Sequence, residues 1–228
     1  MSEYDSWASV YDSWGAGMPD DVAHYVRLAQ QASGPIVELA VGTGRVAIPI
    51  ARETGKHVIG IDSSPAMLAV ARERAEGLPV ELRQGDMQKV ALDEPVDLII
   101  CPGRSLLHLR GWQEKRNVFE RVARALRPGG RFAFNAFAFN HAVAARLDGQ
   151  TLDQQGIVYT STYAVGESRV DLAREGAATL HLWWATKSEW EGLIDVARLE
   201  VEALYGGFAQ EPFTDESQEF VWVTRKPA

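Results

Sequence analysis

The chain has 228 residues, 46% of them apolar and 24% charged, which suits one globular domain with an elaboration and excludes disordered, collagenous and coiled-coil readings. Its formal net charge of −8 repels a phosphate backbone and argues against nucleic acid as a partner. Cys101 is the single cysteine, so an intrachain disulfide is excluded and a reducing compartment is expected. The longest charge-free stretch runs from Phe132 to Ala145, short of the roughly 20 residues a membrane helix needs, and MSEYDSWASVYDSW lacks the basic start and apolar run of a signal peptide. A cytoplasmic protein with no membrane partner is the expectation.

In chain order, YDSW occurs twice, at 4–7 and 11–14, and marks one amphipathic segment with Tyr4/Tyr11 and Trp7/Trp14 on one face. PDDVAHYVRLAQQA (19–32) predicts a helix with its acids in the first turn. From residue 36 to about 135, short β-branched runs alternate with helical patterns, as βαβ units do. Strands are expected at 36–40, 57–61, 80–84, 96–101 and 131–137. Helices are expected at 45–54, at 64–75 behind a Ser64-Pro65 start, and at 112–126, ending at Pro128-Gly129-Gly130 with a left-handed glycine cap. Residues 156–185 show no helical pattern and predict antiparallel strands around a turn at Gly166. Ser188 and Glu191 have capping-box spacing and start a helix to about Arg198; strands at 199–205 and 219–225 close the chain. The fold class is therefore α/β: a Rossmann-like, doubly wound, mostly parallel sheet with an antiparallel last strand and a small antiparallel lid elaboration. One domain divides into a lid and helix (1–32), a cofactor-binding core (33–140), a substrate-side elaboration (141–187) and a C-terminal helix with strands completing the sheet (188–228).

The first strand runs into Val41-Gly42-Thr43-Gly44-Arg45 and then a helix, where small residues let a ligand approach backbone N–H groups near the positive end of a helix dipole. Asp62 closes the second strand, where a carboxylate can accept both hydroxyls of an adenosine ribose; capping the next helix is its plain structural alternative. Gly42-x-Gly44-x-x-Ala47 also satisfies a dinucleotide fingerprint with alanine in third place. Asp86-Met87 follows the third strand, an acid for an adenine amino group beside a side chain to pack on the ring.

These pieces, VELAVGTGR, GID, QGDM and LRPGG, occur in that order over about residues 33–140, and in them the sequence resembles the class I S-adenosylmethionine-dependent methyltransferases of small-molecule type. The resemblance implies S-adenosyl-L-methionine as cofactor. Glu38 would orient the loop, Ala40, Gly42 and Gly44 would lie against the methionine part, and Asp62 would hold the ribose. Ser63 and Met67 would border the adenine pocket, Asp86 and Met87 would read the adenine, and Cys101 would offer its backbone. Ala40 stands where the family usually has glycine. Met67 and Met87 as core filler, and Glu38 as a buried polar residue, are the bland readings that do not account for the joint order.

Methyl transfer asks mainly for alignment of nucleophile and methyl and for exclusion of water. The N-terminal segment and 102–112 resemble the lid and post-strand loop of small-molecule members, sugar N-methyltransferases included. His108 is the candidate base, with a structural role as its alternative, and Tyr11 in the lid is a candidate for both cofactor contact and catalysis. Trp7, Trp14, Arg104, Asn135, His141 and Trp183 are candidate substrate contacts, with Trp184 beside them, flat aromatic walls suiting an aromatic or sugar substrate. Trp190 and Trp222 are assigned to the core, and His24, His57 and His181 to structural or exposed positions. No metal-ligand spacing is present. The expectation is a small-molecule methyltransferase acting on N, O or C, as monomer or homodimer. The alternatives are an NAD(P)-dependent oxidoreductase, which lacks a Tyr-x-x-x-Lys pair, and a non-catalytic cofactor-binding protein.

Overall fold

The computed structural model describes residues 2–15 and 21–228. After a 3-10 turn at Glu3–Ser6 come α1 (Tyr11–Gly15), α2 (Val22–Gln31), β1 (Ile36–Leu39), α3 (Ala47–Thr54), β2 (Val58–Asp62), α4 (Pro65–Arg74), β3 (Val80–Gln84), β4 (Val96–Cys101), α5 (Gly111–Ala125), β5 (Leu126–Phe137) and α6 (His141–Leu147). They are followed by β6 (Thr151–Gln154), β7 (Ile157–Ala164), β8 (Arg169–Ala173), β9 (Leu180–Trp183), α7 (Lys187–Val196), β10 (Glu200–Tyr205) and β11 (Glu219–Arg225).

Seven strands pair in the order β10-β11-β5-β4-β1-β2-β3, and β6-β7-β8-β9 form a second sheet. In the large sheet β3, β2, β1, β4 and β5 are parallel, while β11 runs antiparallel to both β5 and β10; the small sheet is antiparallel throughout. β1 and β4 are buried along their whole length because helices cover both faces, which is why they read as continuous apolar runs. On β4, Leu98 and Ile100 join Tyr25, Ala29, Ile50 and Leu68 on one side, and Ile99 and Cys101 join Val118, Phe119, Trp190 and Leu193 on the other. This is the predicted doubly wound α/β sheet with its antiparallel last strand. The order turns back between β1 and β4, where such sheets bind ligands beyond the carboxyl ends of their strands.

Ser64 caps α4, accepting the Met67 N–H at 3.1 Å, with Pro65 in the first turn. Three local expectations are corrected. The chain leaves α5 directly through extended Leu126, and Pro128-Gly129-Gly130 lies inside β5 instead of capping the helix; there a Cβ on Gly130 would stand 2.9 Å from the Arg127 carbonyl, so the glycine admits a β-bulge-like approach beside β4. The capping box of α7 is Thr186 with Glu189, not Ser188 with Glu191, because Thr186 is the last extended residue and Ser188 is already helical. Finally, the antiparallel elaboration expected from residue 141 opens with a helix: α6 follows Asn140, whose side chain accepts the Ala142 and Val143 N–H groups. Pro19 and Asp20 of the predicted 19–32 helix lie outside the described residues; α2 covers Val22–Gln31, and Asp21, expected in the first turn, precedes the helix and is turned to Arg45 instead.

Candidate functional site

At the end of β1 the chain turns through Ala40 (φ 56°), Gly42 (φ 55°) and Gly44 (φ 81°). A Cβ on Gly42 would meet nothing nearer than Tyr11 at 4.0 Å, so the missing side chain is open space on a cavity wall, whereas a Cβ on Gly44 would come within 2.7 Å of Ile48. Gly42 serves the cavity, and Gly44, expected beside the cofactor, serves packing of the loop on α3. Asp62 ties the loop to the second strand: its carboxylate accepts the Gly42 and Ser64 N–H groups, each at 2.8 Å. Burial raises its pKa, and those N–H groups oppose the rise. Beneath the loop, Glu38 is 2% exposed and accepts from the Ala47 backbone, while its Oε2 has no partner; burial pushes its pKa well above the usual range.

These residues enclose a cavity of about 550 Å³ whose wall includes Ala40, Gly42, Asp62, Ser63, Met67, Asp86 and Met87. The resemblance assigned all seven to the cofactor, and the fold brings them together. Asp86 also accepts the Gln88 N–H at 2.8 Å. Cys101 is fully buried, its thiol pushed up by desolvation.

The N-terminal segment roofs this cavity with Tyr4 and Tyr11. Asp5 accepts from the Ser64 hydroxyl at 2.6 Å, Asp12 accepts from the Thr43 hydroxyl at 2.7 Å and pairs with Arg74, and Asp21 holds Arg45 at 2.5 and 2.8 Å. Three acids thus latch this part of the chain to the glycine loop and to α4. Burial pushes the Tyr11 phenol up to about 12.

A second cavity, of about 310 Å³, opens between β5, α6 and the small sheet. His108 and Tyr4 line both cavities. Tyr4 Oη lies 2.7 Å from His108 Nε2, and burial drives the imidazole down to about 4 and the phenol well up, so near neutral pH the pair is uncharged and shares a proton between a phenol and an imidazole. Of the candidate substrate contacts, Trp14 and Arg104 line the second cavity. Four other substrate candidates are placed elsewhere. Trp7 is fully buried against Trp14 and Leu180, its indole N–H donating to the Ala178 carbonyl at 2.8 Å. Asn135 is a buried hydrogen-bond hub for Tyr25 and Glu219, His141 is an exposed residue edge-on to Phe139, and Trp183 lines the first cavity. Trp184 stacks behind Phe139 at 4.0 Å. Trp190 and Trp222 are core. The aromatic wall that sequence reasoning missed is Phe137, Phe139, Tyr159 and Tyr163; Tyr4, whose repeat was seen but not its role, joins them.

Comparison with known proteins matches residues 36–130 to a model described as a methyltransferase domain. An uncharacterized methyltransferase of Geobacillus kaustophilus is 31% identical over 151 residues, covering 63% of this chain and 69% of that protein. The cypemycin N-terminal methyltransferase of a Streptomyces species is 25% identical over 84% of this chain and 82% of its own length. By contrast, the chain spans about half, 54%, of the putative methyltransferase YqeM of Bacillus subtilis, which is 32% identical over 135 residues. Among solved structures, the CcbJ methyltransferase of Streptomyces caelestis superposes with a TM-score of 0.85 at 28% identity, with 100% of this chain and 99% of that one covered. The chain belongs to the S-adenosylmethionine-dependent methyltransferase family. S-adenosyl-L-methionine is its cofactor, and the residues fit it: two carboxylates, two methionines and a glycine whose Cβ would occupy the cavity.

Proposed function

We propose that the protein methylates a small molecule seated in the second cavity, with the cofactor in the first. The observation that carries the reading is that two cavities meet at a single shared pair, Tyr4 and His108. When bound, S-adenosylmethionine supplies an electrophilic methyl whose carbon–sulfur bond breaks with the electron pair kept on sulfur. Asp62 would hold the ribose hydroxyls through the lone pairs its two backbone bonds leave free, Asp86 would accept from the adenine amino group, and Met67 and Met87 would pack on the ring. Gly42 lets the methionine part lie against the loop backbone. The N-terminal roof, the 3-10 turn carrying His108, and the small sheet exclude water, which gives alignment its full effect. Tyr4 Oη takes the proton that the acceptor heteroatom gives up while its own phenolic proton passes to His108 Nε2, 2.7 Å away.

S-adenosylhomocysteine is expected to raise the melting temperature and NADH is not; the reverse result returns the glycine loop to a dehydrogenase. With a turned-over substrate in hand, His108→Asn is expected to lower kcat by about 10²-fold with cofactor affinity unchanged. Because burial holds His108 neutral down to about pH 4, the limb it imposes on the pH–rate profile lies near pH 4. A limb near 6.5 that disappears in His108→Asn rules out the buried, proton-accepting imidazole.

A further inference from the structure

The second cavity restricts what the enzyme accepts, an inference that rests on the methyltransferase reading. Among the described residues no carboxylate lines it, and Arg104 is its one charged group. That charge is already spent: Arg104 Nε and Nη2 donate to the Glu219 carboxylate at 3.1 and 2.6 Å, and Asn135 donates to the same carboxylate at 2.7 Å. A diphosphate would find no uncommitted cation. A protonated or quaternary amine would find no carboxylate on the wall to pair with, and the Phe137 face that could hold it by cation–π attraction already has the Arg104 guanidinium 5.7 Å from its ring centroid.

Several of the wall's polar atoms are likewise committed. Gln154 donates to the Trp14 carbonyl at 2.7 Å and accepts from the Tyr159 hydroxyl at 3.1 Å. Ser161 donates to the Leu147 carbonyl at 2.6 Å, and the Asn140 side-chain oxygen caps α6. That leaves the Tyr163 hydroxyl, the Gln218 amide and the Asn140 amide nitrogen, too few partners for every hydroxyl of a hydroxyl-rich sugar, and each group left unpaired costs binding free energy. The remaining wall is aromatic and aliphatic, and about 310 Å³ is at the small end of ligand pockets. One reactive polar feature faces the cofactor side, the Tyr4–His108 pair.

We infer that the second cavity takes an uncharged, ring-bearing apolar molecule that presents a single hydroxyl or unprotonated amine to Tyr4 and His108, and that it takes neither a nucleotide-linked sugar nor a cationic amine. Leu172 and Leu182 on the small sheet and Phe137 on β5 clasp the ring, and the acceptor atom points to the boundary with the first cavity.

The test is calorimetric, on the full chain saturated with S-adenosylhomocysteine. The probes are 2-naphthol, 2-naphthyl phosphate, thymidine diphosphate and (2-naphthylmethyl)trimethylammonium. 2-Naphthol is expected to bind at least tenfold more tightly than each charged probe. Leu172→Trp, which fills the cavity from β8, is expected to weaken 2-naphthol at least tenfold while S-adenosylhomocysteine still binds; if that variant also loses S-adenosylhomocysteine, Leu152→Trp from β6 takes its place. The inference is overturned if a charged probe binds as tightly as 2-naphthol, if 2-naphthol does not bind, or if filling the cavity leaves its affinity unchanged. Failure of the wild-type chain to bind S-adenosylhomocysteine is a separate result that defeats the methyltransferase reading itself.

Discussion

A single carboxylate organises the cofactor loop. Asp62 gives one oxygen to Gly42 and the other to Ser64, so the group proposed to hold a ribose also holds the turn that shapes the cavity. Asp62→Ala is therefore expected to cost twice: about 1–3 kcal/mol of stability, because two partly buried N–H groups lose a charged acceptor, and about 1.5–3 kcal/mol of S-adenosylhomocysteine affinity. Denaturation and titration calorimetry measure the two losses separately, and an alanine variant with wild-type affinity removes Asp62 from the site. Ala40 presents the opposite case. Its φ of 56° is a conformation that costs an L-residue roughly 1–2 kcal/mol and glycine almost nothing. Ala40→Gly is expected to raise stability by about 0.5–1 kcal/mol, the relieved strain outweighing the added freedom of the unfolded chain. A loss of stability would mean that the alanine methyl, which lines the cavity, contributes more in packing than its backbone loses in strain.

Among the elements, the N-terminal segment shows what a sequence reveals and where it stops. The seven-residue repeat of YDSW was legible, and so was the pairing it implies: Tyr4 meets Tyr11 at 5.7 Å and Trp7 meets Trp14 at 5.2 Å between ring centroids. The division of labour was not. Both tyrosines line the cofactor cavity, both aspartates latch to it, and the tryptophans form an apolar cluster with Leu180 of the small sheet. Which face of a short segment meets cofactor and which meets β9 depends on where the small sheet sits, a long-range fact that local periodicity does not encode. For the same reason β1 to β4 and the acids of the first cavity were readable from strand patterning and motif order, while the wall of the second cavity, drawn from Tyr4, β5, β7 and α6 among others, was not. Asn135 looked like a pocket residue from its position near the end of a strand, yet Phe137, two residues further along and at the strand's last position, is the one that reaches the cavity. Because Trp7 and Trp14 are packed, removing residues 1–15 is expected to do more than open a roof. Turnover should be lost, the seven-stranded sheet should stay folded, and β7 to β9 should lose amide protection in hydrogen exchange. Unchanged protection there would show that the tryptophans only cover the small sheet and do not support it.

Across the whole molecule, burial of ionisable groups sets the response to acid. His24 is 1% exposed, packs edge-on against Tyr25, Tyr205 and Phe208, and leaves both ring nitrogens without a partner. Desolvation, aided by the Arg27 charge, lowers its pKa to about 4. The folded pKa lies below the unfolded value of about 6.5, so at acidic pH the unfolded chain binds the extra proton, and stability falls as pH drops from about 6.5 toward 4. Linkage puts this one site at about 2 kcal/mol between pH 8 and pH 5. His108, lowered to about 4 by the same cause, acts in the same direction. Glu38 acts against both, since its raised pKa makes the folded state the better proton binder over part of the acid range. A wild-type acid titration therefore sums terms of opposite sign, and His24→Phe separates them: the ring is kept, the two unpartnered nitrogens go, and the Glu38 and His108 terms cancel in the difference. Subtracting wild-type from variant stability, each obtained by urea unfolding, should give a gap that widens by about 2 kcal/mol from pH 8 to pH 5. A gap that stays constant with pH would mean that water or a polar neighbour reaches the imidazole when it charges, and that α2 yields to acid more readily than its packing implies.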